Sequence, residues 1–211
     1  MEFASTYPTR FLRTYVRFKV AGDPVYAAVF DSLRGSADRL LDLGCGVGAL
    51  AFYLRERGYS APIAGIDHDR RKVDIARGIA DGDQSLTFQT ADVRTVRDFP
   101  PTIVLLDVLH YLTDAEQTAL LGEVAAAANI VIIRDAVRDG SLRYWMTVGQ
   151  EALSRAGGWL KAERLNFPTR ESIERPFRDA FRGEVRSMFG HTPFNNYLFV
   201  FRRSSAGITN A

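Results

Sequence analysis

The chain has a single cysteine, Cys45, and therefore cannot form a disulfide within itself. Proteins of oxidising compartments are often cross-linked, so the reducing cytoplasm is the compartment that we expect. No stretch reaches the roughly 18 unbroken apolar residues that a membrane span needs. The segment Met1–Val20 contains arginines throughout and lacks the apolar core of a signal peptide. These absences predict a protein without a membrane span.

The sequence also lacks a large excess of positive or negative charge, since 27 basic and 25 acidic residues leave a net charge of +2. Nucleic-acid-binding domains are usually strongly basic, so nucleic acid is not expected as a partner. Basic residues nevertheless cluster in the N-terminal arm, at Arg10, Arg13, Arg17 and Lys19, and recur after Arg134. They indicate either a solvated surface or attraction to an acidic substrate or an acyl carrier protein.

Short apolar runs alternate with longer amphipathic segments, which is typical of repeated βα units and a parallel sheet. The predicted buried strands are Arg39–Leu43, Pro62–Asp67, Ser85–Gln89, Thr102–Leu106 and Ile130–Arg134. The predicted helices between them are Ala49–Arg57, Arg70–Ala80 and Asp114–Ala128. Thr113 and Glu116 have the spacing of a capping box for the last of these helices.

After the fifth strand the pattern changes. It predicts helices near Ser141–Arg155 and Thr169–Phe181, followed by strands at Glu184–Met188 and Tyr197–Arg202. Two closely connected strands form an antiparallel hairpin, here at a sheet edge. The predicted fold class is therefore α/β, a Rossmann-like doubly wound sheet over residues 37–203 with a C-terminal antiparallel hairpin. Residues 1–36 are expected to form an N-terminal helical cap, and residues 204–211 a disordered tail.

The first strand runs directly into a glycine-rich turn, Asp42-Leu43-Gly44-Cys45-Gly46-Val47-Gly48. In doubly wound sheets, ligands bind beyond the carboxyl ends of the strands. The glycines alternate as GxGxG, whereas a dinucleotide fingerprint has GxGxxG spacing, so a nicotinamide-dependent oxidoreductase is the disfavoured alternative. The Asp42 carboxylate would repel a pyrophosphate but could neutralise an ammonium group. S-adenosylmethionine has that ammonium and no phosphate.

With these motifs the chain resembles a class I S-adenosylmethionine-dependent methyltransferase over Leu40–Arg134. The resemblance implies the seven-stranded fold of that family and a cofactor site. It assigns the methionine portion of the cofactor to Asp42, Gly44, Gly46 and Gly48, both ribose hydroxyls to Asp67, and the adenine amino group to Ala91-Asp92. His68 is expected to border adenine, and Cys45 and Asp107 complete the predicted cofactor set. From the residues alone, Asp67 could instead cap Arg70–Ala80, and Asp92 the turn Val93–Val96.

The fourth strand delivers Asp107-Val108-Leu109-His110-Tyr111 at its carboxyl end. In the family that the chain resembles, this segment lies near the transferred methyl group. His110 is the first candidate for general base and His191 the second, because imidazole titrates near neutral pH. His110 could equally hold a water molecule or pack a turn. No metal is predicted.

The acceptor is expected to contact Tyr15, Arg138, Arg143, Tyr144 and Trp159, which combine aromatic surface with positive charge. Tyr7, Phe11, Tyr15 and Phe18 recur at helical spacing and either pack on the domain or roof the pocket. Four motifs carry a narrower resemblance: Tyr-Val-Arg-x-Lys-x-x-x-Asp-Pro (15–24), Asp-Val-Leu-His-Tyr-Leu (107–112), Ile-Arg-Asp (133–135) and Thr-Pro-Phe-Asn-Asn-Tyr (192–197). With them the chain is similar to methyltransferases of bacterial aryl polyene pigment pathways, which implies O- or C-methylation of a phenolic acid, free or carrier-bound. A catalytically silent binding protein of the same fold is the other alternative, and the sequence leaves the oligomeric state open.

Overall fold

The computed structural model describes residues 1–156, 165–190, 192 and 194–204. The strands in these ranges are β1 (Leu40–Leu43), β2 (Ile63–Asp67), β3 (Leu86–Thr90), β4 (Thr102–Leu106), β5 (Ile130–Ala136), β6 (Phe181–Ser187) and β7 (Asn196–Arg203). The helices are α1 (Arg10–Gly22), α2 (Val25–Ser32), α3 (Ala49–Glu56), α4 (Arg70–Ile79), α5 (Asp114–Ala127), α6 (Leu142–Ala156) and α7 (Arg170–Glu174).

The strands of the described residues form one seven-stranded sheet in the order β3-β2-β1-β4-β5-β7-β6. The first five strands run parallel, and β7 is antiparallel to both β5 and β6. The predicted α/β fold class is confirmed, including the C-terminal antiparallel strands. The strand order reverses between β1 and β4, so the segments that follow β1, β2, β4 and β5 meet at one edge of the sheet.

Apolar side chains cover both faces of the sheet. On one face, the residues before β1 pack with α3 and α4 against alternate strand residues such as Leu40 and Ile63. On the other face, α5 and α7 pack against their neighbours, such as Leu41 and Ile103. Strands buried on both faces explain why the sequence shows continuous apolar runs instead of alternation.

Two features at helix starts agree with the local sequence, the capping box of α5 and the glycine that precedes α3. The Thr113 hydroxyl accepts from the Glu116 amide, and the Glu116 carboxylate accepts from the Thr113 amide, which completes the capping box of α5. Gly48 precedes α3 with a φ of 78°, a left-handed conformation that favours glycine. Both features fix where a helix starts after a strand.

The predicted helix Thr169–Phe181 is wrong in its second half. The α-helix ends at Glu174 and continues as one 3-10 turn, Arg175–Phe177. Pro176 has no amide hydrogen to donate and its ring disfavours a continuing α-helix. Strand β6 therefore begins at Phe181, before the predicted Glu184.

The predicted aromatic face of the N-terminal helix is also corrected. Tyr7 lies ahead of α1, whose cap is Thr9, and is fully buried. Phe11 and Phe18 are on α1 but are 59% and 75% exposed. The spacing alone predicts one continuous helix, whereas the N-cap at Thr9 starts α1 after Tyr7.

At the C-terminal end of β7, the Ser204 amide donates to the Ala180 carbonyl at 2.9 Å. The remainder of the predicted tail, residues 205–211, lies outside the described residues. None of the helices in the described part of the chain combines the length and the apolar character that a membrane crossing requires.

The capping box gives a stability prediction. Thr113→Ala should lower the free energy of unfolding by about 1 kcal/mol, because the first turn of α5 loses its cap. Thr118→Ala in the same helix is the control, since its hydroxyl only bonds the Asp114 carbonyl one turn back. Urea denaturation followed by circular dichroism measures both, and equal stabilities would contradict the role of the cap.

Candidate functional site

The glycine turn between β1 and α3 is closed on one side and open on the other. Gly44 and Gly46 have φ values of 81° and 55°. A β-carbon on Gly44 would lie 2.4 Å from Val108 Cγ2, whereas one on Gly46 would meet no atom within 4 Å. The turn thus packs tightly against the segment after β4 and leaves free space next to Gly46.

Asp67, the last residue of β2, holds this turn in place. Its Oδ2 accepts from the Gly46 amide at 2.9 Å, and its Oδ1 accepts from the Asp69 amide at 2.8 Å. The residue is only 6% exposed. Helix α4 is capped by Asp69, so the alternative of Asp67 as its capping residue is wrong. Each carboxylate oxygen retains a further lone pair that can accept a ligand hydroxyl.

Asp42 lies on β1 just before the turn and is 3% exposed. Burial and, to a smaller extent, the nearby carboxylate of Asp67 raise the pKa of Asp42 to about 7, although the Lys19 ammonium acts in the opposite direction. A buried carboxylate whose pKa is raised in this way favours a bound cation, which would stabilise its charged form. Asp42 and Asp67 therefore make this edge of the sheet attractive to a positively charged ligand.

The side chains predicted to border adenine lie beyond β2 and β3. The Ala91 amide donates to the Asp67 carbonyl at 3.1 Å. Asp92 caps the 3-10 turn Val93–Thr95 through the Arg94 amide, as one of the two sequence interpretations proposed. Its side-chain hydrogen bond from Arg94 lowers the pKa of Asp92. His68 is exposed, with Nδ1 3.5 Å from Asp67 Oδ1.

Cys45 is a buried residue of the turn, and burial raises the pKa of its thiol above the ordinary value. A thiol that resists ionisation is a poor nucleophile, which fits a small packing residue. Among the residues that the structure describes, no group of three or more His, Cys, Asp or Glu side chains is placed to hold a metal ion.

Asp107 follows β4 in an unusual backbone conformation. Its φ of 60° is in the left-handed region, where aspartate is found more often than most residues. The Asp107 amide donates to the Arg134 carbonyl at 2.8 Å, and Asp107 Oδ2 lies 2.8 Å from Arg134 Nη2. Arg134 belongs to β5 and is 5% exposed. The neighbouring strand therefore fixes both the backbone and the side chain of Asp107.

His110 and Asp135 form a buried pair at the tips of β4 and β5. Nδ1 of His110 lies 2.6 Å from Oδ1 of Asp135, and the two side chains are 4% and 0% exposed. Asp135 Oδ2 also accepts from the amides of Leu109 and His110. A carboxylate accepts, so the neutral imidazole holds its proton on Nδ1 and Nε2 is its basic atom.

Asp135 was not among the residues predicted from the sequence. The feature that could have identified Asp135 is its position near the carboxyl end of the fifth apolar strand. That strand is the neighbour of the fourth strand, which His110 follows. Sequence spacing alone does not show which strands are neighbours. The pairing of the two side chains follows from the sheet order.

Aromatic rings surround the pair. Phe167 stacks on the His110 ring at a centroid distance of 5.2 Å, and Tyr111 lies 4.1 Å from it. Tyr144 of α6 meets Phe167 edge-on at 5.8 Å. The structure thus brings Tyr144, a predicted acceptor residue, close to His110.

The other predicted acceptor residues are more dispersed. Arg143 is exposed. Its Nη1 donates to the Thr192 carbonyl at 2.8 Å, and its Cζ lies 4.5 Å from the ring centroid of Phe189. Arg138 is exposed, and Tyr15 is half-buried with Lys19 Nζ 5.9 Å from its ring centroid. Trp159 and the second histidine candidate, His191, lie outside the described residues.

Residues 40–129 match the protein family described as Methyltransferase domain. Among curated proteins, the chain is similar to 2-heptyl-1-hydroxyquinolin-4(1H)-one methyltransferase of Mycobacteroides abscessus. The two are 31% identical over 104 residues, a match that covers 44% of this chain and 44% of that protein. The chain therefore matches less than half the length of this curated relative.

Solved methyltransferases share the architecture. Magnesium protoporphyrin IX methyltransferase from Synechocystis PCC 6803, with bound S-adenosylhomocysteine, superposes with a TM-score of 0.63 at 22% identity, covering 96% of this chain and 92% of that one. Human N-acetylserotonin methyltransferase in complex with S-adenosylmethionine gives 0.60 at 18% identity, covering 96% and 59%. The chain thus has the class I methyltransferase fold, and its residues 40–129 are similar to the methyltransferase-domain family.

Asp42 predicts how the stability of the ligand-free protein depends on pH. The pKa of an aspartate in an unfolded chain is about 3.9. In the folded protein the pKa of Asp42 is raised to about 7, so Asp42 keeps its proton over this pH range. Because the folded state binds more protons, the stability contributed by Asp42 is greatest below pH 4 and decreases as the pH rises through 7.

Between pH 5 and pH 8, the wild type should therefore lose about 2 kcal/mol more of its free energy of unfolding than Asp42→Asn, which has no such proton to lose. Urea denaturation at several pH values measures the difference. The same pH dependence in both proteins would show that Asp42 titrates normally.

Proposed function

We propose that this chain is an S-adenosylmethionine-dependent methyltransferase that acts on a hydroxylated aromatic small molecule. The observation that carries the proposal is the bond between Asp67 and Gly46, which places a carboxylate beside an open glycine turn. The methyltransferase-domain match over residues 40–129 supports the same activity. The bound cofactors of the two structural neighbours support the same cofactor.

The residues around the turn fit this cofactor. Space next to Gly46, where a β-carbon would meet no atom within 4 Å, admits a ligand close to the backbone. Asp42 would face the ammonium group, and the spare lone pairs of Asp67 would accept from the ribose hydroxyls. Ala91, Asp92 and the exposed His68 would border adenine. Three acids at the strand ends suit a cation, and they would repel the pyrophosphate of a dinucleotide.

The bound cofactor would supply a methyl group on a positively charged sulfur, which needs alignment with the acceptor more than activation. His110 would remove the acceptor proton at Nε2 while the methyl group passes from sulfur to the acceptor. Asp135, paired to Nδ1, would fix the tautomer and stabilise the imidazolium that forms. In this structure His110 Nε2 is buried and Phe167 stacks on the face of the ring, so neighbouring side chains must move for an acceptor to reach Nε2.

The acceptor class rests on two observations. Phe167 and Tyr111 contact His110, which belongs to the only buried histidine–carboxylate pair among the described residues, and Tyr144 packs against Phe167. The name of the curated relative gives its acceptor as a 1-hydroxyquinolin-4-one, a bicyclic ring system with a hydroxyl on its nitrogen. A phenolic acid, free or bound to a carrier protein as in aryl polyene pigment synthesis, fits these features. Deprotonation of a phenol activates both its oxygen and its ortho carbon, so O- and C-methylation use the same base.

Calorimetry with S-adenosylmethionine and with NAD tests the cofactor assignment. The wild type should bind the sulfonium compound and not NAD. Gly46→Ala should weaken that binding at least about 10-fold, because the methyl group enters the ligand space and the residue is strained at positive φ.

Gly58→Ala is the matched control. Gly58 also has a left-handed φ, 91°, and open space around it, but it follows α3 far along the chain from the turn. It should lose stability without losing cofactor affinity. Preferential binding of NAD would overturn the proposed cofactor.

Turnover tests the roles of His110 and Asp135. The assay is mass spectrometry of hydroxylated aromatic acids, free and carrier-loaded, with isotope-labelled S-adenosylmethionine. His110→Asn should lower kcat by about 10²–10⁴-fold and leave cofactor affinity unchanged. Asp135→Asn should lower kcat and shift its pH profile, because the imidazolium loses its counter-charge.

Both variants must be compared at equal folded fraction, since the pair is buried. Wild-type kcat in folded His110→Asn would restrict the pair to a structural role. No methylation of any acceptor by a wild type that binds the cofactor would favour the silent binding protein.

A further inference from the structure

Residues 1–36, here called the N-terminal cap, contact the candidate cofactor site at two separate points. One contact is made ahead of α1 and the other at the corner between α1 and α2. Each reaches a different backbone segment of the site, the glycine turn in one case and Asp107 in the other.

The first contact is a hydrogen bond from Tyr7 to the turn. Its hydroxyl donates to the Val47 carbonyl at 3.1 Å, and the ring is fully buried against Phe52 at a centroid distance of 6.2 Å. The Tyr7 carbonyl accepts from Arg13 Nε at 2.7 Å. The glycine turn is thereby connected through Tyr7 to the first turns of α1.

The second contact is an ion pair from Asp23. Its Oδ1 accepts from the Val25 amide at 3.0 Å and closes the corner between α1 and α2. Its Oδ2 lies 2.9 Å from Arg134 Nη2, the same nitrogen that lies 2.8 Å from Asp107 Oδ2. Arg134 is buried, so solvent screens these pairs little. Asp23 at the corner of the N-terminal cap and Asp107, with its left-handed backbone, therefore share the Arg134 guanidinium as an ion-pair partner.

We propose that the N-terminal cap is a working part of the cofactor site, in which Tyr7 and Asp23 are positioning residues for the glycine turn and for Asp107. This inference rests on the proposed function. Neither residue needs to touch the cofactor. Tyr7 acts through Val47, and Asp23 acts through Arg134.

The two residues would affect cofactor affinity by changing the fraction of molecules in which the N-terminal cap is docked on the site. A ligand that requires a docked cap binds with an apparent affinity reduced by that fraction. Removing one hydrogen bond or charge changes the docking equilibrium by a factor of up to about 10. The cofactor in turn should favour the docked state by the ratio of its affinities for the docked and undocked states, because coupling between binding and docking is reciprocal.

The test uses two conservative variants of the full chain, Tyr7→Phe and Asp23→Asn, each with a matched control. Tyr59→Phe removes a similar bond, since the buried Tyr59 donates its hydroxyl to the Asp38 carbonyl at 2.5 Å. Asp83→Asn matches Asp23→Asn, because Asp83 also accepts from a backbone amide and pairs with an arginine, Arg55, at 3.3 Å. Neither control residue contacts the glycine turn or Asp107 in these bonds.

Calorimetry should show Kd values for S-adenosylmethionine and S-adenosylhomocysteine raised about 3- to 10-fold in Tyr7→Phe and Asp23→Asn. The controls should lower Tm comparably and leave Kd within about twofold. Hydrogen exchange of residues 7–23 should slow when the cofactor is added to the wild type, and slow less in the two variants.

Unchanged Kd values in both variants, with Tm lowered as in the controls, would overturn the inference and leave the proposed function intact. A wild type that binds neither sulfur compound would instead overturn the proposed function, and this inference with it.

Discussion

The Asp67 carboxylate connects the tip of β2 to the glycine turn that follows β1. One oxygen accepts from the Gly46 amide and the other from the Asp69 amide at the start of α4. Two neighbouring βα connections are thus fixed by one side chain, at the edge where the parallel strands end. The shape of the turn and the space next to Gly46 depend on this connection, because a loop of glycines has little preference for any single conformation.

Charge is the second constraint on this edge of the sheet. Asp42 and Asp67 are both buried, and their mutual repulsion adds to the cost of ionising Asp42. On the other side of the turn, Arg134 forms ion pairs with both Asp107 and Asp23. Lys19 offsets the cost of ionising Asp42 only in part, because the pKa of Asp42 stays raised at about 7, whereas Asp107 has a direct ion-pair partner. This asymmetry favours a cationic ligand on the glycine turn.

Much of the fold could be predicted because strands buried on both faces leave continuous apolar runs, and Thr102–Leu106 was predicted with its observed bounds. The capping box at Thr113 could be predicted because it is local. The helix break at Pro176 was also a local signal, and it was overlooked. Pairs such as His110 with Asp135 and Tyr7 with Val47 are 25 and 40 residues apart, and depend on which elements become neighbours. No spacing rule identifies such pairs before the sheet order is known.

The most direct measurement of the central claim is a crystal structure of the protein with S-adenosylhomocysteine. The account predicts the ligand on the glycine turn, with its ribose hydroxyls against Asp67 and its amino group on the side of Asp42. A ligand bound elsewhere, or an Asp67 that keeps its bonds to Gly46 and Asp69 while facing no ribose, would contradict it.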